Sequence, residues 1–351
     1  MADTLAIALP AEGGHPDAPT ARLILPADAP EEQWHAVRRA GLGGSNIAAL
    51  YGLDKRHGAR RVYEEKNGYR EPDNTYTKWG RRLEASIAEG FEEDYGLATR
   101  KPPGTFAHIE HPWAIANVDR FVLDADGRAV APLECKNKSE YLSGEWEGDE
   151  PPDGPALQAH WYMAVGGWSH AYVAGLIGGN RLQVFRLERD EELIEELFRY
   201  CGDWYQRHVV EGLPPAVDGL EATTELLARL WEVQPAEVVE VDLGKARDLR
   251  ARRAALCEQI EALEAELNAV ENEMRDAAGA GEIVKAGGRP AWSWKQNGNF
   301  APSRFRTEQP ELAAKYTRLV EAIDTDRLKE DHPKIYRQYR ARVLRVPAKE
   351  L

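Results

Sequence analysis

Ala116-Asn117-Val118-Asp119 and, after roughly one strand and a turn, Leu133-Glu134-Cys135-Lys136 are the stretches from which the fold and chemistry of this chain can be read. Side chains on a strand alternate faces, so Glu134 and Lys136 project to one side while Cys135 turns away. Asp119, closing a strand predicted over residues 113–118, supplies a second carboxylate. The peptide carbonyl of Cys135 is a further candidate oxygen ligand, since hard cations accept backbone oxygens readily. Two hard oxygen ligands converging beside an ammonium group are what a magnesium-dependent nuclease needs. In that reading Asp119 and Glu134 ligate metal and Lys136 orients or deprotonates a water, with Asn137 and Lys138 extending the polar end of the strand. Glu-x-Lys alone is equally the pattern of an exposed, salt-bridged hairpin, so the reading depends on its neighbours.

Three neighbouring segments supply that support. Residues 34–52 read as a helix, a glycine turn and a second helix capped by Ser45 or Asn46, with Arg38 and Arg39 beside the turn. Glycine-rich helix entries with nearby arginines are ready phosphate sites. A helix over residues 78–95 carries Trp79, Leu83, Ile87 and Phe91 at helical spacing, and Glu84 lies at its core-facing edge, in reach of a metal. A third helix, residues 157–165, precedes a strand over 171–177 and places Gln158 and Tyr162 on one face. Each has a plainer reading. Arg38 and Arg39 also suit surface pairs with Glu31 and Glu32, and Ser45 a simple cap. Glu84 also suits a solvated face, Gln158 and Tyr162 can satisfy each other, and His160 reads as a satisfied histidine rather than a ligand.

Taken together, order and spacing over residues 34–212 resemble the PD-(D/E)xK nuclease superfamily, and within it the YqaJ-type viral recombinases similar to the exonuclease of phage lambda. The resemblance implies a restriction-endonuclease-like α/β core with a mixed central sheet flanked by helices. It implies that Asp119 and Glu134 hold two Mg²⁺ ions, with Mn²⁺ as the alternative, that Lys136 activates water, and that Glu84 and Gln158 complete the site. Trp34-His35-x-x-Arg38 with Gly44-Ser45 looks like the family's phosphate entry, so Arg38 and Ser45, with Tyr162 beside them, would hold the 5′-terminal phosphate or its neighbour. Two departures stand out: Asp119 is followed by Arg120 where the family usually has glycine, and His160 stands where a second glutamine is often found. The resemblance further implies double-stranded DNA ends as substrate, a ring-like homo-oligomer and a single-strand annealing protein as partner.

Composition bounds the rest. At 351 residues the chain exceeds one comfortable core and suggests two domains. Cys135, Cys201 and Cys257 are widely separated, with no C-x-x-C, which points away from a disulfide framework, a zinc site or an iron–sulfur cluster. No apolar run is long enough to span a bilayer and no basic-then-apolar leader opens the sequence, so a cytoplasmic location is expected. The net charge of −14 runs against the basic face that DNA binding favours. Lys55, Arg56, His57, Arg60 and Arg61 nevertheless form a basic island that suits a channel lining or a solvated loop.

The expected division is a loosely attached Ala- and Pro-rich lead-in (1–30), a nuclease domain (31–215) and a helical accessory domain (216–351). Strands are predicted over 113–118, 121–124, 131–137, 171–177 and 183–187, closed by a helix over 191–210. In the last domain Leu249, Leu256, Ile260, Leu263, Leu267, Val270 and Met274 follow three-four heptad spacing. Their partner is read as a return helix of the same chain over 308–340, or the same helix of another subunit; a small β-hairpin carrying Trp292 and Trp294 lies at the tip. Those tryptophans suit either a hydrophobic cap or stacking on bases. A basic strip, Lys334, Arg337, Arg340, Arg342 and Arg345, follows. The expectation is a Mg-dependent exonuclease acting 5′ to 3′ on linear duplex and leaving 3′ single-stranded tails for recombination. The alternatives are an endonuclease of the same chemistry and a non-catalytic DNA-binding or assembly protein.

Overall fold

The structure, a computed structural model, describes residues 13–70, 75–231, 233–234, 237–318 and 321–340. The chain divides into two compact units, Met1–Glu232 and Val233–Leu351.

The first unit opens with β1 (Ala21–Pro26), α1 (Glu31–Ala40), α2 (Gly44–Leu50), α3 (Ala59–Lys66) and α4 (Thr75–Tyr95). Strands β2 (Thr99–Arg100), β3 (Gly104–His108), β4 (Ile115–Ala116), β5 (Arg120–Leu123) and β6 (Ala129–Lys138) follow. A 3₁₀ turn, Glu140–Trp146, leads to α5 (Asp153–Gly166), β7 (His170–Ile177) and β8 (Arg181–Glu188). The unit ends with α6 (Glu191–Trp204), extended by a π-helical segment Tyr205–Val210, and α7 (Glu221–Leu230).

A five-stranded sheet in the order β2-β5-β6-β7-β8 forms its centre. The β6–β7 pair is parallel and its other pairs are antiparallel. A parallel pair needs a crossover, and α5 provides it. On one face α4 lays Ile87 and Phe91 against Leu133, Ala131 and Ala174. On the other, α5 is buried from Gln158 to Gly166, within a core that it shares with residues of α2 and α6. Such all-round burial explains why α5 has no polar face in sequence. This is the expected α/β architecture, a mixed central sheet flanked by helices.

Several expectations are corrected. The lead-in is not loose: within its described part, β1 pairs antiparallel with β3, and β4 completes a second, three-stranded sheet. Ala18 and Ala21 are fully buried, and the Trp168 indole N–H donates to the Asp17 carbonyl (2.9 Å), pinning the segment to the core. The residues of α7, assigned to the accessory domain, belong to the first unit, where Thr223 and Leu226 are buried. Trp79 is half exposed rather than core, with the Arg82 guanidinium over its ring.

The second unit contains α8 (Leu243–Ala278), a hairpin of β9 (Ile283–Ala286) and β10 (Arg289–Ser293), and four short helices: α9 (Pro302–Glu308), α10 (Pro310–Tyr316), α11 (Thr325–Asp331) and α12 (Pro333–Gln338). Gly287 and Gly288 turn the hairpin in the left-handed region (φ +57° and +79°), which side chains disfavour. The Trp292 indole N–H donates to the Met274 carbonyl (3.0 Å), so this residue caps α8, while Trp294 is exposed. The expected long return helix over 308–340 does not form. Pro310 and Pro333 each open a separate short helix, because proline cannot supply the amide that a continuous helix needs. Arg342 and Arg345 of the basic strip lie outside the described residues. Among the described residues no helix is long and apolar enough to cross a membrane.

Gly175 stands beside Lys136 in the β6–β7 register, and a Cβ there would enter the ring of fully buried Trp146. Neither partner has room to yield, so Gly175→Ala is expected to lower unfolding free energy by about 1–3 kcal/mol in urea titration. An unchanged midpoint would contradict this packing.

Candidate active site

The site forms where the chain passes from the three-stranded to the five-stranded sheet. β4 ends at Ala116 and β5 begins at Arg120, leaving Asn117-Val118-Asp119 as the step between them. The β5–β6 register pairs Arg120 with Leu133, so continuing it by one residue sets Asp119 beside Glu134. The Cys135 amide N–H donates to Asp119 Oδ2 at 2.8 Å, fixing the carboxylate at the β6 backbone. On β6 the expected alternation holds: Lys136 Nζ donates to Glu134 Oε1, while Cys135 packs with the α4 side of the sheet.

From α5, the Gln158 carbonyl oxygen accepts from Lys136 Nζ (2.9 Å). The Gln158 amide donates to the Tyr162 hydroxyl (2.7 Å), which donates in turn to the Asn117 carbonyl (2.7 Å). One chain of hydrogen bonds thus links the ammonium to the step that carries Asp119. Glu84 reaches this region from α4 by an ion pair with Arg120, whose guanidinium also donates to the Asp119 carbonyl (2.7 Å).

Glu134 and Arg120 are buried, while Asp119, Lys136 and Glu84 stay partly accessible. Glu134 is 3% exposed, and its Oε2 is buried without a hydrogen-bond partner. Burial, reinforced by the Glu134 carboxylate, holds Asp119 well above the usual carboxylate range. Burial opposes the charge on Lys136, but Glu134 and Asp119 outweigh it and hold the amine above its ordinary value. Burial pushes the Cys135 thiol and the Tyr162 hydroxyl up, so both stay neutral. Two crowded carboxylates, one with an unpartnered oxygen, fit a divalent cation, which would satisfy that oxygen and offset the repulsion. The described residues contain no cluster of three or more His, Cys, Asp and Glu side chains arranged for a metal. The donors that Asp119 and Glu134 offer are carboxylate oxygens, which suit a hard divalent cation.

A cavity of about 230 Å³ joins this centre to the glycine turn: Arg38, Gly44, Ser45, Asp119, Gln158 and Tyr162 line it together. Arg38 lies over the Trp34 ring at 4.8 Å and points a guanidinium nitrogen at Ser45 Oγ, 3.5 Å away. Gly44 is required there, because a Cβ would stand 2.9 Å from both Gln158 and Tyr162. Ser45 makes no cap; Asn46 does so, accepting from the Gly43 amide (3.2 Å).

The chain matches the family model "YqaJ-like viral recombinase domain" over residues 33–169. It is 32% identical over 256 residues, 70% of this chain and 79% of the other, to the uncharacterized protein YqaJ of Bacillus subtilis (strain 168). The chain belongs to the YqaJ family. Among solved structures, the alkaline exonuclease LHK-Exo of Laribacter hongkongensis aligns with a TM-score of 0.44 and 17% identity, over 57% of this chain and all of that one. A phage-related exonuclease of Haemophilus somnus 129PT aligns with a TM-score of 0.37 and 15% identity, over 49% and 96% of the two chains.

Sequence reading of this YqaJ-family chain missed three residues. Lys66 closes α3 with its amine buried, donating to the Arg38 carbonyl (2.7 Å), the Gly41 carbonyl (2.6 Å) and Asn46 Oδ1 (3.0 Å). It ties α1 to the α2 entry, and burial with Arg38 nearby pulls its pKa to about 7. Nothing in its local sequence marks it. Arg120, read as a departure from a family pattern, is the partner of Glu84, and Asn117 anchors Tyr162. His160 stands apart: burial lowers its proton affinity, and the charges that reach it are Asp190 and Arg189.

The basic surface also differs from the expected island. Arg60 and Arg61 pair with Glu64 and Glu65, and His57 with Asp54. Two of its members, His57 and Arg61, nevertheless line a groove of about 800 Å³ that runs out from Trp34 and Arg38 past Arg39, Lys66, Arg70 and Arg81, with Glu31 and Glu65 also on its walls.

Asp119→Asn keeps an acceptor for the Cys135 amide and removes a charge facing Glu134. The metal-free variant is expected to melt at or above wild type, by about 2–4 °C if the relief is on the order of 1 kcal/mol. Magnesium titration followed by calorimetry should raise the wild-type Tm and leave the variant's unchanged. A variant less stable than wild type would contradict the repulsion inferred here.

Proposed function

We propose that this chain is a metal-dependent deoxyribonuclease that degrades one strand of linear duplex DNA from its 5′ end and leaves a 3′ single-stranded tail for phage-type recombination. The observation that carries this reading is the single cavity lined by both Asp119 and the Arg38–Ser45 pair. It puts an anion-binding corner within one cavity of a carboxylate–ammonium centre, which suits an enzyme that holds a terminal phosphate while hydrolysing a phosphodiester nearby.

Asp119, Glu134 and the Cys135 carbonyl would hold Mg²⁺, two ions in this reading, with Mn²⁺ as the alternative. When bound, such ions supply Lewis-acid polarisation of the scissile phosphate and charge neutralisation at the departing 3′ oxygen. The chain's own groups do the positioning. Lys136, steered by Glu134 and Gln158, presents its remaining donor capacity to the attacking water. Arg38 and Ser45 grip the 5′-terminal phosphate, and Tyr162 fixes the wall between the two halves. Glu84, through Arg120, holds the Asp119 backbone in place. The basic groove beyond Arg38 gives the duplex backbone a path although the net charge is −14. Family membership also supports a homo-oligomeric ring, a single-strand annealing partner and action in the host cytoplasm as parts of the same proposal.

The test uses linear duplex with 5′-phosphate or 5′-hydroxyl ends and covalently closed circles, with magnesium, manganese or chelator. Expected is metal-dependent loss of the linear phosphorylated duplex alone. Lys136→Ala should reduce the rate by on the order of 10²–10³-fold. Arg38→Ala should weaken the preference for 5′-phosphate by about 10–100-fold, the worth of one charge-assisted hydrogen bond, with little effect on 5′-hydroxyl ends. Cleavage of circles would establish the endonuclease, and no cleavage with either metal would leave a binding or assembly role.

A further inference from the structure

The apolar stripe of α8 is uncovered. Leu249, Leu256, Ile260, Leu263, Leu267 and Val270 are each more than half exposed, and the short helices that replace the expected return helix leave them so. The helix spans 36 residues, about 54 Å and five heptads, long enough for a two-stranded coiled coil. Its charge is strongly segregated. Lys245, Arg250, Arg252 and Arg253 occupy the first half, whereas Glu264, Glu266, Glu271 and Glu273 occupy the second.

We infer that α8 docks on α8 of a second copy of this chain as an antiparallel coiled coil. The heptad fixes the register. With Ile260, Leu267 and Met274 at a positions and Leu249, Leu256 and Leu263 at d, antiparallel packing sets a against d of the other helix. Met274 then meets Leu249 in the outermost layer, while Ile260 meets Leu263 and Leu267 meets Leu256 at the centre, so the four central layers are apolar on both sides. The next pairing places Arg253 against Val270, where the arginine stem covers the valine and its head reaches the acidic flank.

The flanks discriminate orientation. In this register Arg250 faces Glu271 and Arg252 faces Glu273 of the second copy, giving four cross-pairs by symmetry. A parallel, in-register pair instead stacks Arg253 on Arg253 and sets Glu266 against Glu271 on both sides. Among the described residues Arg252 pairs with Asp248 and Glu271 with Arg275 along the helix surface, contacts that are weak and readily exchanged. Charge complementarity therefore selects the antiparallel two-fold dimer over the parallel one, independently of the nuclease reading.

Cys257 provides the direct test, since it is exposed and this register sets it opposite Glu264 of the second copy. The full-length chain carrying Glu264→Cys should form a disulfide-linked dimer under mild oxidation, whereas wild type should not, because its two Cys257 residues lie about 13 Å apart along the axis. Positions 257 and 264 of one helix are too far apart to bridge within a chain. In parallel, Arg250→Glu/Arg252→Glu and Glu271→Arg/Glu273→Arg chains should each self-associate at least tenfold more weakly than wild type by light scattering, and their equimolar mixture should recover wild-type association. Circular dichroism at 222 nm reports that the helices remain formed. Failure of Glu264→Cys to crosslink with helicity retained, or a mixture no tighter than its components, would overturn the inference.

Discussion

Two carboxylates buried side by side are the constraint around which the first unit is built. Asp119 and Glu134 repel each other where little water screens them, and such a pair persists only if its surroundings hold it in place. Lys136 neutralises part of the charge, the Cys135 amide holds Asp119, and the Glu84–Arg120 pair fixes the backbone between them. Each group needs a different element. β6 must run through the middle of the sheet, β5 must enter antiparallel beside it, and α5 must cross over to reach parallel β7 and deliver Gln158. Glu134 Oε2 is left without a hydrogen-bond partner in this arrangement.

The corner of the cavity that holds Arg38 and Ser45 is held by a different device. Lys66 spends its three donors on the α1 end and the α2 entry, so Arg38 and Ser45 are placed by a buried amine rather than by their own contacts, which are loose. Loose contacts suit side chains that are to bind something else. Local field and net charge are different quantities: Arg38, Arg39, Lys66, Arg70 and Arg81 share one groove although the chain as a whole carries −14.

Much of this was legible in sequence because period and chemistry coincide. Residues 129–138 and 170–177 are apolar runs with a buried helix between them, and the Glu-x-Lys alternation on the first needs no tertiary information. β1 and β3 were not legible, because each is short and sits in Ala-, Pro- and Gly-containing sequence, and only their pairing with each other makes them strands. Lys66 was invisible for a similar reason, since its three acceptors come from residues 38, 41 and 46 and a lone lysine ending a helix is ordinarily solvated. The helix expected to cover α8 failed on its prolines: the spacing of apolar residues over 308–340 suits a helix, but Pro310 and Pro333 divide it into separate turns. Once that cover is gone, the heptad and its charge segregation point outward, to another copy.

The central claim is that the carboxylate–ammonium centre hydrolyses phosphodiesters next to a gripped 5′ end. Product analysis under single-turnover conditions tests it most directly, using a linear duplex whose two strands carry distinguishable 3′ labels, with magnesium present. The account predicts release of mononucleotides from the 5′ ends while both 3′ labels remain on progressively shorter strands. Early loss of the 3′ labels, or internal fragments of fixed length, would contradict it.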